Sequence, residues 1–190
     1  MHHVGGPVEA IDRVFSSGAG LAYLGEDVTM VEHQLQAAAQ AANAGSAEPL
    51  VIAALVHDIG HMIEQGVELD ATSAIANEVD ARHDVTGAQW LATWFDARVT
   101  EPVRLHVAAK RYLVAVESTY AAQLSPASVH TLQLQGGPMS VSEIEAFRRN
   151  PAWVEAIAVR RFDEAAKDPA VVAPPLAHYA DMIRRVARSA

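Results

Sequence analysis

The sequence contains no cysteine, which excludes disulfides and every thiolate site. Any metal the chain holds must be bound through nitrogen and oxygen. Aromatic residues are scarce, at 6%, and no apolar run approaches the roughly 20 residues that a bilayer-spanning helix needs. Membrane insertion is therefore not expected. Basic residues are also few: 14 Lys and Arg face 23 Asp and Glu, for a formal charge of −9. Nucleic acid is not expected as a partner, because proteins that grip a phosphate backbone carry a basic excess. A small anionic substrate stays compatible, since a local basic cluster can act inside an acidic protein. The first residues, Met1-His2-His3-Val4-Gly5-Gly6-Pro7, lack the basic and apolar regions of a secretory signal, so a cytoplasmic location is expected. Nothing in the pattern sets an oligomeric state.

What is present suits one compact helical domain. The chain has 190 residues, 51% of them hydrophobic, enough to enclose a sizeable core. Alanine is abundant and period-two alternation is rare, so an all-α fold is expected, with a single domain over 1–190 and an N-terminal extension over 1–20. Thr29-Met30-Val31-Glu32 has capping-box spacing and opens a helix to about Ala44. Pro49 starts the next, whose run Leu50 to Val56 leads into His57-Asp58. That run is apolar all round and predicts a central helix. Residues 66–80 read as a long polar loop. Further helices are expected from about Ala81 to Phe95, from Thr100-Glu101-Pro102 to about Ser118, from Ser125-Pro126 to the stop at Gly136-Gly137-Pro138, from the second capping box Ser140 to Glu143, from Asn150-Pro151 to Ala166, and from Leu176 to Ala187. Trp90, Leu91 and Trp94, then Trp153 and Ile157, read as core.

His57-Asp58 is the pivot of any chemistry. On one helix the two side chains would point about 100° apart, yet both could reach an ion lying against it. Seven apolar residues precede them, and a buried carboxylate is costly unless paired or metal-bound. Taken alone, the pair reads equally as a hydrogen-bonded core pair. His33, His83, His106 and Asp163 change that balance. Together the set offers four imidazoles and two carboxylates from separated segments, as when facing helices build a metal site. Imidazole and carboxylate without sulfur suit iron, manganese or zinc. Six ligands can serve two metals if a carboxylate bridges, and Asp58, placed between His57 and the downstream ligands, is the natural bridge.

In these residues the chain resembles the HD superfamily: His33, His57-Asp58 and Asp163 match its His, His-Asp, Asp signature, and His83 and His106 match the extra histidines of its two-metal branches. More narrowly it looks like the HD-domain phosphonate oxygenases, relatives of myo-inositol oxygenase. The stretches that carry this are Tyr23-Leu24-Gly25-Glu26, His57-Asp58-Ile59-Gly60-His61, His106 through Val114, Leu132 through Met139 and Arg160-Arg161-Phe162-Asp163, so the likeness runs from about Tyr23 to Tyr179. It implies a mixed-valent pair of iron ions and dioxygen as co-substrate. His33, His57, Asp58 and Asp163 would bind one iron, and Asp58, His83 and His106 the other.

The resemblance also gives roles around the metals. Lys110 lies one turn after His106, and Arg160 one turn before Asp163; with His61 they would surround a phosphonate, a group that Arg can hold bidentately. Ser128 and Thr131 would donate hydroxyl hydrogen bonds, although both also read as ordinary helix residues, and Gln135 near the glycine pair would shape the pocket. Tyr23 and Glu26 match a mobile lid over 21–28 in which the tyrosine occupies an iron position until substrate displaces it; by themselves they read as a packed aromatic and a solvent-facing acid. His2, His3, His130 and His178 match no role.

The expected reaction is oxidative cleavage of a carbon–phosphorus bond in a 1-hydroxyphosphonate. Residues 62–89 carry no aromatic, and Glu26, Glu78 and Asp80 could meet a cation without requiring N–H donors. This favours (1R)-1-hydroxy-2-(trimethylammonio)ethylphosphonate, giving glycine betaine and phosphate, over the 2-amino compound, which would give glycine. Two other readings use the same core: an HD-type phosphohydrolase that activates water, and a binding or regulatory module without activity.

Overall fold

The structure is a computed structural model that describes residues 5–23, 26–65 and 82–188. Ten α-helices are found in these residues, and the all-α expectation holds. They are α1 (Pro7–Gly18), α2 (Met30–Asn43), α3 (Glu48–Leu55), α4 (Ile59–Gln65), α5 (His83–Leu91), α6 (Ala97–Val116), α7 (Pro126–Leu134), α8 (Val141–Arg148), α9 (Trp153–Glu164) and α10 (Leu176–Val186). One isolated antiparallel bridge pairs Ala22 with Thr29. No helix among the described residues is long and apolar enough to cross a membrane.

Local chemistry explains most boundaries. The capping box at α2 is formed: Glu32 N donates to Thr29 Oγ1 at 3.2 Å, and Thr29 N donates to Glu32 Oε2 at 2.8 Å. Ser140 and Glu143 repeat it at α8. Proline sits in the first turn of α1, α3 and α7, where its missing N–H has no helical partner to lose. The α7 helix ends at Gly136 and Gly137, whose φ of 95° and 71° suit glycine.

The core is built around α3, whose residues Val51 to Leu55 are fully buried. It packs against α2, α6, α9 and α10. Each Ile or Leu so enclosed contributes about 1.5–3 kcal/mol. The long α6 helix joins two apolar clusters: Val99 and Val103 lie in the larger, Leu105, Ala109, Tyr112 and Leu113 in the smaller. His106 falls at their junction.

Several expectations need correction. Within the N-terminal extension, α1 belongs to the main core, where it buries Ile11 and Phe15. The α6 helix begins at Ala97, not Thr100: the Asp96 carboxylate caps it by accepting from Arg98 N at 2.9 Å. Pro102 therefore sits inside the helix and forgoes one backbone hydrogen bond. The α5 helix stops at Leu91, which leaves Trp94 in the following turn, and α9 begins at Trp153 because Asn150 holds a preceding turn by accepting from Ala152 N at 2.9 Å. The loop expected over 66–80, with Glu78 and Asp80, lies outside the described residues, as do His2, His3, Leu24 and Gly25 of the expected lid. His130 and His178 are exposed.

Candidate metal centre

His57 and Asp58 do not share a helix. Val56 leaves helical geometry (φ −123°, ψ 15°), and the pair occupies the turn between α3 and α4. The turn is secured by His57 itself, whose Nδ1 donates to Ala54 O at 2.8 Å, a carbonyl freed by the helix end. Two other histidines are held the same way: His33 Nδ1 donates to Ala166 O at 2.8 Å, just past α9, and His106 Nδ1 to Val103 O at 2.7 Å. A carbonyl only accepts, so Nδ1 carries a proton in all three, and Nε2 keeps its lone pair for a metal ion or, when the ring is charged, for a second proton.

Those lone pairs converge. His33 Nε2 and His57 Nε2 are 3.1 Å apart, with Asp163 Oδ1 3.4 Å from the former and Asp58 Oδ2 3.4 Å from the latter. On the other side His83 Nε2 and His106 Nε2 are 3.1 Å apart, and Asp58 Oδ1 lies 3.2 Å from His83 and 3.3 Å from His106. The Asp58 carboxylate thus divides, one oxygen to each imidazole pair. All six side chains are buried, and Asp58 Oδ1 has no hydrogen-bond partner. Facing lone pairs and an orphaned buried oxygen fit cations held between them.

The charge balance points the same way. Burial opposes a charge on His57, yet Asp58 and then Asp163 reverse this and carry the imidazole up to about 9. Burial and neighbouring His61 push His83 down to about 3. Burial would raise Asp58 and Asp163, but His57 acting on the first and Arg160 on the second hold both well below the usual carboxylate range. Positive charge is favoured most on the side with two carboxylates. His61 stacks on His83 with ring centroids 3.8 Å apart, and Tyr23 stacks on His33 at the same separation, its hydroxyl donating to Asp163 Oδ1 at 3.4 Å.

Two buried cations, Arg160 and Lys110, adjoin the candidate ligands. Arg160 is buried, donating to Tyr120 OH through Nε at 2.8 Å, to Asp163 and Glu164 through its two terminal nitrogens, and to Ser128 Oγ at 3.4 Å. Lys110 is also buried and donates to Thr131 Oγ1 at 2.8 Å; burial first and Arg160 second lower its ammonium to about 7. Gln135 caps α7, and its side-chain oxygen is buried without a hydrogen-bond partner among the described residues.

Four contributors escaped the sequence reading. Glu164 and Lys167 continue the spacing of Arg160 and Asp163 at i, i+3, i+4 and i+7, a signal that was there to be used. Lys167 donates to Ser128 Oγ at 3.2 Å and Glu164 Oε1 at 3.0 Å. Tyr120 sits in a connection and left no pattern. Gly60 matters for close approach: a Cβ there would stand 2.0 Å from the His83 carbonyl oxygen, so α4 and α5 cross backbone to backbone and set where His83 begins.

A His-Asp turn between helices, with a histidine from α2 before it, defines a class. The HD domain family matches residues 30–143, and the chain belongs to it. Within that family it belongs with the phosphonate dioxygenases. It is 42% identical over 184 residues, 96% of this chain and 91% of the relative, to a [1-hydroxy-2-(trimethylamino)ethyl]phosphonate dioxygenase (glycine-betaine-forming) of Leisingera caerulea. It is 42% identical over 175 residues, 91% of this chain and 86% of the relative, to a hydroxymethylphosphonate dioxygenase of Gimesia maris. An uncharacterised protein of Acanthamoeba polyphaga mimivirus is 30% identical over 179 residues, 93% of this chain and 80% of that one.

Proposed function

We propose that the protein is a di-iron dioxygenase that cleaves the carbon–phosphorus bond of (1R)-1-hydroxy-2-(trimethylammonio)ethylphosphonate, releasing glycine betaine and phosphate in the cytoplasm. The observation that carries this is the division of the Asp58 carboxylate between the His33–His57 and His83–His106 pairs, beside the buried cations Arg160 and Lys110. The relative of Leisingera caerulea supports the substrate. The overall change balances with one dioxygen: R–CH(OH)–PO3H2 and O2 give R–COOH and H3PO4.

His33, His57, Asp58 and Asp163 would hold one iron, and Asp58, His83 and His106 the other. When bound, iron supplies the activation of dioxygen and the electron transfer that side chains cannot. The chain's own residues do the rest. Arg160, fixed by Tyr120, and Lys110, fixed by Thr131, would take phosphonate oxygens together with Ser128 and His61, which holds the reacting carbon at one position. As phosphate leaves, the same cations balance its charge in a site with little water. Glu26 would face the substrate's quaternary ammonium, and Tyr23, stacked on His33, covers the first metal position until substrate enters.

The test is anaerobic loading with iron(II) and substrate, then addition of oxygen. One phosphate and one glycine betaine per dioxygen consumed supports the proposal. Phosphate released equally without oxygen would make the chain a phosphohydrolase. A strong preference for the 2-amino compound would move the product to glycine and leave the chemistry unchanged.

A further inference from the structure

Lys167 lies just beyond the end of α9, with its side chain about nine-tenths enclosed. Its ammonium touches three oxygens. Ser128 Oγ accepts from it at 3.2 Å, Glu164 Oε1 at 3.0 Å, and Glu26 Oε1 stands 3.6 Å away. The Ser128 hydroxyl is also the one that Arg160 approaches, which marks the anionic end of the site. In the reading proposed above Glu26 would meet the substrate's cationic end, and its Oε1 is buried without a hydrogen-bond partner. Glu164 is already engaged by Arg160, so the carboxylate that depends most on Lys167 for charge balance is Glu26.

We infer that Lys167 is a specificity-determining residue that couples the two ends of the substrate: it balances Glu26 in the empty site and turns to the phosphonate when a zwitterionic substrate brings its own cation to Glu26. The inference rests on the phosphonate reading proposed above. A buried carboxylate stripped of the one cation found beside it among the described residues is strongly disfavoured. A phosphonate with a cationic tail replaces the cation it draws away, whereas one with a neutral tail of equal shape leaves Lys167 on Glu26 and forgoes its contact. The pair Glu26–Lys167 thus discriminates by charge, and the amine needs no N–H donor for this. The same device would act against a substrate with no ammonium group.

The experiment compares two unreactive ligands that lack the 1-hydroxyl: 2-(trimethylammonio)ethylphosphonate and its uncharged carbon isostere, 3,3-dimethylbutylphosphonate. Binding to iron-loaded protein under nitrogen is followed by calorimetry. Because the phosphonate is common to both, the ratio of dissociation constants isolates the tail. Lys167→Met is expected to raise the preference for the cationic ligand about tenfold, chiefly by strengthening that ligand, whose ammonium then compensates a carboxylate that has lost its partner in the free protein. Glu26→Gln is expected to bring the ratio close to one, alone or combined with Lys167→Met, and Lys167→Arg to keep the wild-type ratio. Equal weakening of both ligands by Lys167→Met would overturn the inference, since a purely structural or phosphonate-only role predicts that result; so would no change in either. Failure of the wild-type protein to bind either phosphonate is a different outcome, and removes the substrate reading itself.

Discussion

His33 and His57 meet Nε2 to Nε2 at 3.1 Å while each commits its Nδ1 proton to a backbone carbonyl. Two facing lone pairs repel unless a proton or a metal ion stands between them, and a metal that replaces that proton links its binding to folding. At a free metal concentration a thousand times Kd the gain is about 4 kcal/mol. For a domain of this size that raises Tm by roughly 10 °C. Calorimetry of chelator-treated and metal-reconstituted protein measures it; equal Tm values would mean the histidines are not ligands.

Gly60 supplies the second prediction. Its hydrogen faces the His83 carbonyl, where a Cβ would be only 2.0 Å from backbone oxygen. Gly60→Ala must push α4 and α5 apart, which costs about 3 kcal/mol, the upper range for overpacking. The same shift moves His83 and should lower metal content by about half. Gly87→Ala, whose nearest contact is 3.2 Å, should cost less than half as much. Urea denaturation and metal analysis of both variants check this ordering.

Why these features were hidden is physical. The ligand residue types and helix caps are local or compositional, so His33, His57-Asp58, His83, His106 and Asp163 could be picked out by residue type and segment. Whether His57 and Asp58 share a helix depends on Val56 leaving helical geometry and on His57 bonding Ala54, a choice between two local optima that the apolar run does not decide. The start of α6 turned on Asp96 outcompeting a proline signal. Tyr120 and Lys167 reach the pocket only through tertiary packing, and α1 shows its apolar face only once α4 and α10 are there to receive it.

Arg160 is held at Nε by Tyr120 and reaches Asp163, Glu164 and Ser128 with its remaining nitrogens. Lysine offers one point charge in place of this planar fork. Arg160→Lys should therefore reduce kcat/KM by a factor of about 100 to 1000, or roughly 3–4 kcal/mol. Tyr120→Phe leaves the guanidinium present but less fixed, and a loss of about tenfold is expected, mostly in KM. Steady-state phosphate release measures both; a Tyr120→Phe effect as large as that of Arg160→Lys would contradict the positioning role.

The fourth prediction concerns Lys110. Burial, then Arg160, lower its ammonium to about 7, whereas the unfolded chain keeps the proton to about pH 10.4. Between these values the unfolded state binds more protons, so this residue makes stability rise with pH. Its unfavourable contribution is fully present below pH 7 and fades towards pH 10. Lys110→Met removes the titration, and the stability of wild type relative to the variant should climb from pH 7 to 9, by at most about 1.4 kcal/mol per pH unit. Parallel denaturation curves across that range would contradict it. Since the ammonium form is the one that would grip the proposed phosphonate, kcat/KM should fall above pH 7 in wild type.

The account depends most on two metals sharing Asp58, whose oxygens stand 3.2 Å from His83 and 3.4 Å from His57. Electron paramagnetic resonance of iron-loaded, partly reduced protein tests that directly. The account predicts a signal from two coupled irons in different oxidation states, shifted on adding the hydroxyphosphonate and lost in Asp58→Asn. A spectrum of isolated ferric iron only, indifferent to substrate, would contradict it.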